Sequence, residues 1–366
     1  MTISVIIPLY NKKPHIERAL SSVLSQSYSD LNVIVVDDGS TDGGGDVARG
    51  VRDNRVRVVS TANCGVSAAR NRGLQLANTE LVAFLDADDE WLPRFLHTVV
   101  RMVERFPAAA LYATAYELVD FNGVPRLPLF RGLPNEPQGG LIRDYWLAAR
   151  NREPVISSNV LARKSVLDRL HGFPEQLVNL EDLVTWMRVA LRYPIAWSPA
   201  PEVVWHQDAV NRCASWIPVG IPPLSACLTQ YLREETSRSG SIGSAREYVA
   251  KYDLSFVMNN LLAGRKAEAM ALLRRCRKTR VYRLRWLLYG ALSVLPVQLI
   301  RVMWSAYGLR HGNYRPVLPV KGIYRASLSA ENHLPNRHIG LEREDNSEVT
   351  PARTNSNTAN DSPEMG

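Results

Sequence analysis

The sequence predicts an α/β fold whose mainly parallel sheet is covered by helices on both faces. Four short and almost wholly apolar runs, at residues 3–7, 33–36, 56–59 and 81–85, alternate with segments of helical spacing. Strands without a polar face are typical of parallel sheets that helices cover on both sides. Right-handed crossovers place the carboxyl ends of such strands at one edge, where open α/β sheets bind their ligands.

Each apolar run is followed by a segment with helical periodicity. Apolar residues recur at helical spacing over residues 16–24, and Pro14 just before them favours a helix start. A short helix around Val47 precedes the third strand, and a longer helix over residues 66–76 leads to the fourth. Strands and helices therefore alternate throughout the first hundred residues.

The middle of the chain predicts further elements. Strands are expected over residues 111–116 and 155–160, while residues 121–140 are rich in proline and glycine and predict a loop over the site. A helix is expected from Leu180, with Asp182 near its start. The helix dipole favours an acid at that position for stability alone.

The composition indicates a globular protein with one unusually basic region. The chain has 366 residues, of which 46% are hydrophobic, and its formal net charge is +8. Residues 269–330 contain twelve Lys or Arg and no acid, so subtracting twelve from +8 leaves −4 for the remainder. Such a local excess indicates a region that touches an anionic surface. The four cysteines have no metal or redox spacing and indicate free thiols in a reducing compartment, and no signal peptide is recognisable.

An acidic segment follows the fourth predicted strand. Asp86 and Asp88 are two residues apart, so in a continuing extended segment their side chains would face the same way. Carboxylates of this kind suit Mg²⁺ or Mn²⁺, which are commonly held by one or two carboxylates together with substrate phosphates. An acidic cap before the helix that Pro93 opens explains the same residues equally well.

A second acidic pair, Asp37 and Asp38, follows the second predicted strand. A carboxylate here can accept hydrogen bonds from a base N–H or from ribose hydroxyls, and Gly39 lets the backbone turn closely beside a nucleotide. A plain turn fits these residues as well. Arg70, on a helix that begins near this edge, could bind a diphosphate through two hydrogen bonds, although a solvated helix arginine is the commoner case.

Five short motifs follow one another in this part of the chain. They are SVIIPLYN at residues 4–11, VVDDGSTD at 35–42, NCGVSAARN at 63–71, DADD at 86–89, and GF at 172–173 followed by ED at 181–182. In this order they resemble the nucleotide-sugar domain of the family 2 glycosyltransferases, over roughly residues 1–215, and together they are far more specific than any one of them. The resemblance implies a GT-A fold and inverting transfer of a sugar from a nucleoside diphosphate donor.

The resemblance also implies roles for individual residues. Asp88 and Asp86 would be ligands of Mn²⁺ or Mg²⁺, and His206 would lie near the metal or the diphosphate, although a structural histidine fits that position equally well. Asp182 would be the catalytic base, and Glu181 would orient it or cap the helix. The residues expected to bind the donor are Pro8, Tyr10, Asn11, Asp37, Asp38, Gly39, Arg70, Asp86 and Ala87.

Beyond residue 215 the pattern becomes helical and then basic. An uncharged run over residues 286–300 is shorter than the ~20 residues that span a bilayer. Its flanking tryptophans and arginines indicate an interfacial or re-entrant segment on an anionic leaflet, with a buried helix beside a basic flank as the alternative. The predicted divisions are a GT-A domain over 1–215 (donor half to about 105, acceptor half from 106), a helical extension over 216–280, a membrane-associating segment over 281–325 and a disordered tail over 326–366.

These expectations combine into a metal-dependent inverting glycosyltransferase of cell-surface glycan or lipopolysaccharide assembly. It would act peripherally on the cytoplasmic face of the plasma membrane, with a glycan or lipid-linked acceptor. The chain lacks a clear Gln-x-x-Arg-Trp motif, which favours transfer of a single sugar. The alternatives are a sugar-nucleotide nucleotidyltransferase, which would need a glycine-rich basic loop near the N-terminus, and an inactive glycan-binding or scaffold protein. Nucleic-acid binding is disfavoured because the basic cluster adjoins an apolar run, and the oligomeric state is open.

Overall fold

In the computed structural model, the described part of the chain folds around one mixed sheet of ten strands. The structure describes residues 1–177, 180–207, 209, 219–220, 222–234 and 242–310. The strands are β1 Ile3–Leu9, β2 Leu31–Asp37, β3 Val56–Ser60, β4 Leu81–Phe84, β5 Glu90–Trp91, β6 Leu111–Val119, β7 Pro125–Arg126, β8 Gly140–Leu141, β9 Val160–Arg163 and β10 Ile195–His206. The helices are α1 Ile16–Leu24, α2 Gly44–Gly50, α3 Val66–Leu76, α4 Phe95–Arg105, α5 Tyr145–Asn151, α6 Lys164–Arg169, α7 Glu181–Ala190, α8 Pro223–Glu234, α9 Ile242–Leu262, α10 Lys266–Arg275, α11 Arg283–Leu292 and α12 Val297–Arg310.

The sheet has the order β3-β2-β1-β4-β9-β6-β10-β5, with β7 beside β6 and β8 beside β10. The first four strands are parallel, as predicted, and their register sets Leu9 beside Asp37 and Ile6 beside Phe84. β9 runs antiparallel to both β4 and β6, and β5, β7 and β8 are also antiparallel to their neighbours. β6 and β10 pair in parallel as well, so the sheet is mixed: the expected parallel pairing holds for β1 to β4 and for β6 with β10, and the antiparallel β9 lies between these two groups.

The direction of β9 follows from the point where the chain enters the sheet. A 3₁₀ turn over Ser157–Asn159 leads directly into β9. The backbone N–H of Asp86, just beyond β4, donates to the Ser158 hydroxyl, so the turn lies at the carboxyl edge of β4. A strand that starts at this edge has to run away from it, antiparallel to β4. The strand predicted over residues 155–160 was wrong as far as Asn159, because the side chain of Asn159 bonds the backbone of Ile156, Thr114 and Pro154 and closes the turn.

Alternation along the parallel strands divides the core into two layers. Ile6 and Phe84 face the layer that contains residues of α3 and α7. Val5 and Val33 face the layer that contains residues of α1 and α4. Successive residues of a strand point to opposite faces, and because both sets are apolar, both faces of the sheet are buried. The prediction of helices on both faces is confirmed.

The other expected elements are found, together with several that were not predicted. The strand predicted over 111–116 is confirmed as the start of β6, the helix predicted from Leu180 is α7, and residues 121–140 carry only short strand pairs. α8, α9 and α10 lie in the segment predicted as a helical extension, and α9 and α10 pack as a hairpin, whereas α5 and α6 were not predicted. Cys64, Cys227 and Cys276 are free thiols, as expected.

The basic C-terminal part begins with two further helices. Pro296 separates α11 from α12, and Tyr289 and Ile300 on them pack into a cluster with α9 and α10. Within the described ranges, no helix is long and apolar enough to cross a membrane. The predicted tail over 326–366, and Cys213 with the residues around it, lie outside the described residues.

Candidate active site

The segments that follow β1, β2 and β4 meet at one edge of the sheet, as predicted. The Lys12 ammonium, after β1, is 2.7 Å from Oδ2 of Asp88, after β4. The backbone N–H of Thr41, after β2, donates to the side chain of Asn11 at 2.8 Å. Tyr10 is half exposed beside them, whereas Pro8 and Ala87 are buried in the strand and in the loop. These contacts between distant segments define a crevice at the carboxyl ends of the strands.

The carboxylates of Asp37 and Asp38 are occupied by the protein itself. Asp38 accepts the backbone N–H groups of Cys64 and Gly65 at 2.9 and 2.8 Å, which holds the start of α3. Asp37 accepts the backbone N–H of Ser40 at 3.1 Å. Gly39, in the turn after β2, has φ +74°. An added Cβ would lie 3.0 Å from the backbone nitrogen of Asn63, in the loop after β3. These contacts are those expected if the two acids stabilise a turn. A contact of either acid with a nucleoside stays a prediction.

Asp88 lies between two basic residues that the sequence analysis did not single out. Besides its ion pair with Lys12, the backbone carbonyl of Asp88 accepts a hydrogen bond from the Arg18 guanidinium. The side chains of Lys12 and Asp88 are both largely buried. Little in the sequence indicated these two residues, beyond the fact that both are basic and come soon after a buried strand.

The acids after β4 suit a divalent cation by the chemistry of their donor atoms. Asp86 and Asp88 supply carboxylate oxygens, and each already faces a cation, Arg70 and Lys12 respectively. Within the described residues, no group of three or more His, Cys, Asp or Glu side chains could hold a metal ion. Because Mg²⁺ is usually held by one or two carboxylates plus substrate phosphates and water, the two acids fit such an ion together with a diphosphate.

His206 lies beside this acidic segment, at the end of β10. Its backbone N–H donates to Oδ1 of Asp89 at 3.0 Å, and its Nε2 is 3.5 Å from Oε2 of Glu90. The ring therefore sits next to a carboxylate two residues beyond Asp88. A role for His206 in metal binding stays a prediction.

Ser158 fixes the acidic loop from the 3₁₀ turn that precedes β9. Its hydroxyl donates to Oδ2 of Asp89 and accepts the backbone N–H of Asp86 at 3.1 Å, while its carbonyl accepts the Trp91 indole N–H at 2.6 Å. Burial, with the charges of Asp88 and Asp86, raises the pKa of Asp89 well above its ordinary value. This serine was missed from the sequence, where its segment was assigned to a strand.

Arg70 links the acidic loop to the start of α7. Its guanidinium is 2.7 Å from Oδ1 of Asp86 and 2.6 Å from Oε1 of Glu181, and it lies over the ring of Phe173. Only 3% of the side chain is exposed. Burial opposes the charge, but the two carboxylates outweigh it and raise the pKa of Arg70. Two ion pairs use both terminal nitrogens, so the predicted contact of Arg70 with a diphosphate stays a prediction.

The two acids at the start of α7 have different surroundings. Glu181 is buried against Arg70, and burial raises its pKa to about 7. Asp182 accepts the Ser157 hydroxyl at 3.2 Å and the backbone N–H of Leu183 at 2.8 Å. Burial raises the pKa of Asp182, and the charge of Asp86 adds to the shift against the attraction of Arg70. A carboxylate with a raised pKa beside a cleft can take up a proton at a useful pH.

We expect Ser158→Ala to destabilise the protein by roughly 1–3 kcal/mol. The substitution leaves the buried carboxyl of Asp89 and the N–H of Asp86 without their hydroxyl partner, and unsatisfied buried groups cost about this much. Urea unfolding followed by circular dichroism measures the change. Ser21→Ala, at an exposed site on α1, is the matched control and should stay within about 0.5 kcal/mol of the natural chain. An equally small change in Ser158→Ala would show that the hydroxyl does not hold the loop.

Comparisons with known proteins agree on one family. Residues 4–168 match the family model described as "Glycosyl transferase family 2". The Escherichia coli UDP-Glc:alpha-D-GlcNAc-diphosphoundecaprenol beta-1,3-glucosyltransferase WfaP is 33% identical over 190 residues, which are 51% of this chain and 69% of that protein. The uncharacterized glycosyltransferase alr2836 of Nostoc sp. (strain PCC 7120 / SAG 25.82 / UTEX 2576) is 40% identical over 126 residues, which are 34% of this chain and 38% of that protein.

The fold is also similar to that of a solved structure. The crystal structure of S. aureus TarS 1–349 in complex with UDP-GlcNAc aligns with a TM-score of 0.56 and 20% identity, over 86% of this chain and 88% of that chain. At this identity the likeness concerns the fold alone. The match with alr2836, and those with two other glycosyltransferases, cover 26% to 38% of the relatives' own lengths.

Proposed function

This chain belongs to the family 2 glycosyltransferases, and from that premise we propose that it transfers a single sugar, with inversion, from a nucleoside diphosphate donor to a glycan or lipid-linked acceptor. The observation that carries the proposal is the meeting of two sets of acids at one crevice. Asp86 and Asp88 lie at the end of β4, and Asp182 comes from α7, on a separate element. Arg70 links them, because it forms ion pairs with Asp86 and with Glu181, the residue next to Asp182.

The proposed donor is a uridine diphosphate sugar. The name of WfaP states a UDP-glucose donor, and TarS was crystallised with UDP-GlcNAc. In this chain the crevice beside Tyr10, Asn11 and the 37–39 turn is the place for the nucleoside. Asp88 and Asp86 are the residues that would hold Mg²⁺ or Mn²⁺, and such an ion supplies positive charge to the diphosphate leaving group. Lys12 and Arg70 supply fixed positive charge at the same place.

The proposed base is Asp182. Inversion proceeds by a single displacement, so one carboxylate has to face the acceptor hydroxyl and take its proton. Glu181 forms an ion pair with Arg70, whereas Asp182 forms no ion pair within the described part of the chain. Ser157 donates to one oxygen of Asp182 and the backbone of Leu183 to the other, and these bonds fix the orientation of the carboxylate.

The proposed place of action is the cytoplasmic face of the plasma membrane, in assembly of a cell-surface glycan or lipopolysaccharide. The support is the basic, Trp-flanked region after residue 274 and the stated activity of WfaP on a diphosphoundecaprenol-linked sugar. The residues of the crevice do not favour the two alternatives, an inactive glycan-binding or scaffold protein and a sugar-nucleotide nucleotidyltransferase. The strand-end acids and Asp182 are in place for transfer, and the first loop, over Pro8 to Asn11, is not a glycine-rich triphosphate loop.

The donor assignment is tested with purified protein and a panel of nucleotide sugars. We expect UDP-glucose or UDP-GlcNAc, with Mn²⁺, to bind in calorimetry more tightly than the GDP and ADP sugars. With a pyrophosphate-linked lipid acceptor, NMR of the product should show an anomeric configuration opposite to that of the donor. Failure to bind any nucleotide sugar would contradict the proposed function, and a product with retained configuration would contradict inversion.

A further inference from the structure

One face of α11 and α12 is apolar and exposed. Leu284, Leu287 and Leu288 recur at the spacing of one helix face and are all exposed, with Leu284 at 83%. Val302 continues the exposed apolar surface on α12, at 65%. The opposite side of α11, with Tyr289, packs against the α9–α10 cluster, so the helix is anchored on one side only. Exposed leucines clustered in this way mark an interaction surface.

Positive charge without acidic partners borders this apolar face. Arg277, Lys278 and Arg280 on the segment that joins α10 to α11, and Arg283 at the start of α11, are exposed. Within the described residues, none of these four side chains forms an ion pair. Glu247, the nearby acid, is used by the hydroxyl of Thr279 and by the backbone of the connecting segment. A partner of this face therefore has to be both apolar and anionic.

A shallow, open depression of about 380 Å³ lies at the start of the same face, between α5 and the segment that precedes α11. Arg131 and Arg150 line it, together with Leu147, Val281 and Tyr282. Neither arginine is paired with an acid among the described residues. Val281 belongs to the wall of the depression and precedes the exposed leucines of α11 by one turn. Two guanidinium groups in an open depression beside an apolar surface suit a phosphate that is attached to a lipid.

We propose that α11, α12 and the segment before them dock on an anionic phospholipid bilayer, with one lipid phosphate bound between Arg131 and Arg150. The leucines enter the boundary between headgroups and acyl chains, while the basic side chains lie among the anionic headgroups. Each basic side chain near such a leaflet strengthens binding roughly fivefold. The helices lie along the surface, which agrees with their lengths of 10 and 14 residues, too short to span a bilayer.

Charge excludes a second copy of the chain, and charge together with apolar character favours the bilayer over the acidic segment of the chain itself. A second copy of the chain would bring the same unpaired basic side chains together, which like-charge repulsion opposes. Residues 331–366 of the chain itself contain more acids than bases and are the intramolecular competitor for this face. A bilayer that contains phosphatidylglycerol supplies both the negative charge and the apolar interior that the face requires.

Vesicle flotation with the full chain tests the surface. We expect flotation with vesicles of phosphatidylcholine and phosphatidylglycerol, and little with phosphatidylcholine alone, and the binding should weaken as salt rises from 0.1 to about 0.5 M. The double variant Leu284→Asp with Leu288→Asp should bind at least about tenfold more weakly. Arg131→Gln with Arg150→Gln should reduce binding roughly 25-fold, about fivefold for each charge. Val124→Asp, at an exposed apolar site on the loop before β7, is the control and should bind normally.

The outcomes separate this proposal from the proposed transfer reaction. Asp182→Asn should float as the natural chain does, because the surface needs no turnover. Circular dichroism verifies that each variant is folded. A natural chain that stays unbound with phosphatidylglycerol vesicles overturns the proposal and indicates that the acidic tail or another copy covers the face. Unchanged flotation of the leucine variant overturns the role of α11, and unchanged flotation of the arginine variant overturns the phosphate site.

Discussion

Asp182→Asn should lower turnover by roughly 10²–10⁴-fold and leave donor affinity nearly unchanged. The amide has almost the shape of the carboxylate but cannot take the proton of the acceptor hydroxyl. Because Ser157 and Leu183 donate to the side chain from both sides, the variant keeps at least one of these bonds and should fold normally. Steady-state kinetics with a saturating donor measure the loss, and calorimetry measures donor affinity.

The pH dependence of turnover gives a second readout for Asp182. Burial raises the pKa of this carboxyl above its ordinary value, and a base acts only when it is deprotonated. Turnover of the natural chain should therefore fall as the pH drops through that raised pKa, and this acid limb should be lost in Asp182→Asn. Asp168 is an exposed acid on α6, so Asp168→Asn serves as the control. It should retain both the turnover of the natural chain and the fall of turnover at low pH. Near-normal turnover in Asp182→Asn would exclude it as the base, and Glu181 would be tested next.

Features encoded by local periodicity were predictable from the sequence. Apolar runs located β1, β2 and β4, and the acids that end them had to reach a common edge because parallel strands joined by right-handed crossovers share one. Helical spacing likewise located α1 and α7, so Asp182 could be placed in a first helical turn. Each of these inferences needs only residues that are close together in the chain.

Features that depend on distant pairs were not predictable in this way. Arg70 and Glu181 are separated by 111 positions, and the sequence around neither residue indicates that the two form an ion pair. Ser158 looks like part of an apolar strand, yet its hydroxyl holds the loop that carries Asp86 and Asp89. A single polar side chain has no period, so only the fold reveals its partner.

The antiparallel β9 shows how one such contact changes the topology. Val160, Leu161 and Ala162 of β9 are all apolar and buried, like the residues of the parallel strands, so this pattern does not specify the direction of the strand. Direction was decided by the turn over Ser157–Asn159, which starts the strand at the carboxyl edge. The same turn presents Ser157 to Asp182 and Ser158 to the acidic loop, so the error in the predicted strand fell at the candidate site.

Asp88→Asn should weaken metal-dependent donor binding by roughly 10²-fold or more. Changes in the groups that merely support a metal ligand already cost 10–100-fold in affinity, and loss of a ligand should cost at least the upper end. The variant also removes the charge that Lys12 faces at 2.7 Å, leaving that ammonium without its carboxylate. Donor binding is measured by calorimetry with Mn²⁺, with Mg²⁺ and with a chelator.

The expected pattern distinguishes a metal ligand from an acid that only pairs with Lys12. If Asp88 holds the ion, the natural chain in chelator and the variant with Mn²⁺ should bind the donor with similar, weak affinity. If Asp88 only neutralises Lys12, the variant should bind the donor diphosphate at least as tightly as the natural chain, because the ammonium is released to it, and chelator should have no effect. Asp168→Asn again provides the control. Tight donor binding in chelator would contradict metal dependence. In that case Lys12 and Arg70 alone would balance the negative charge of Asp86 and Asp88 beside the diphosphate.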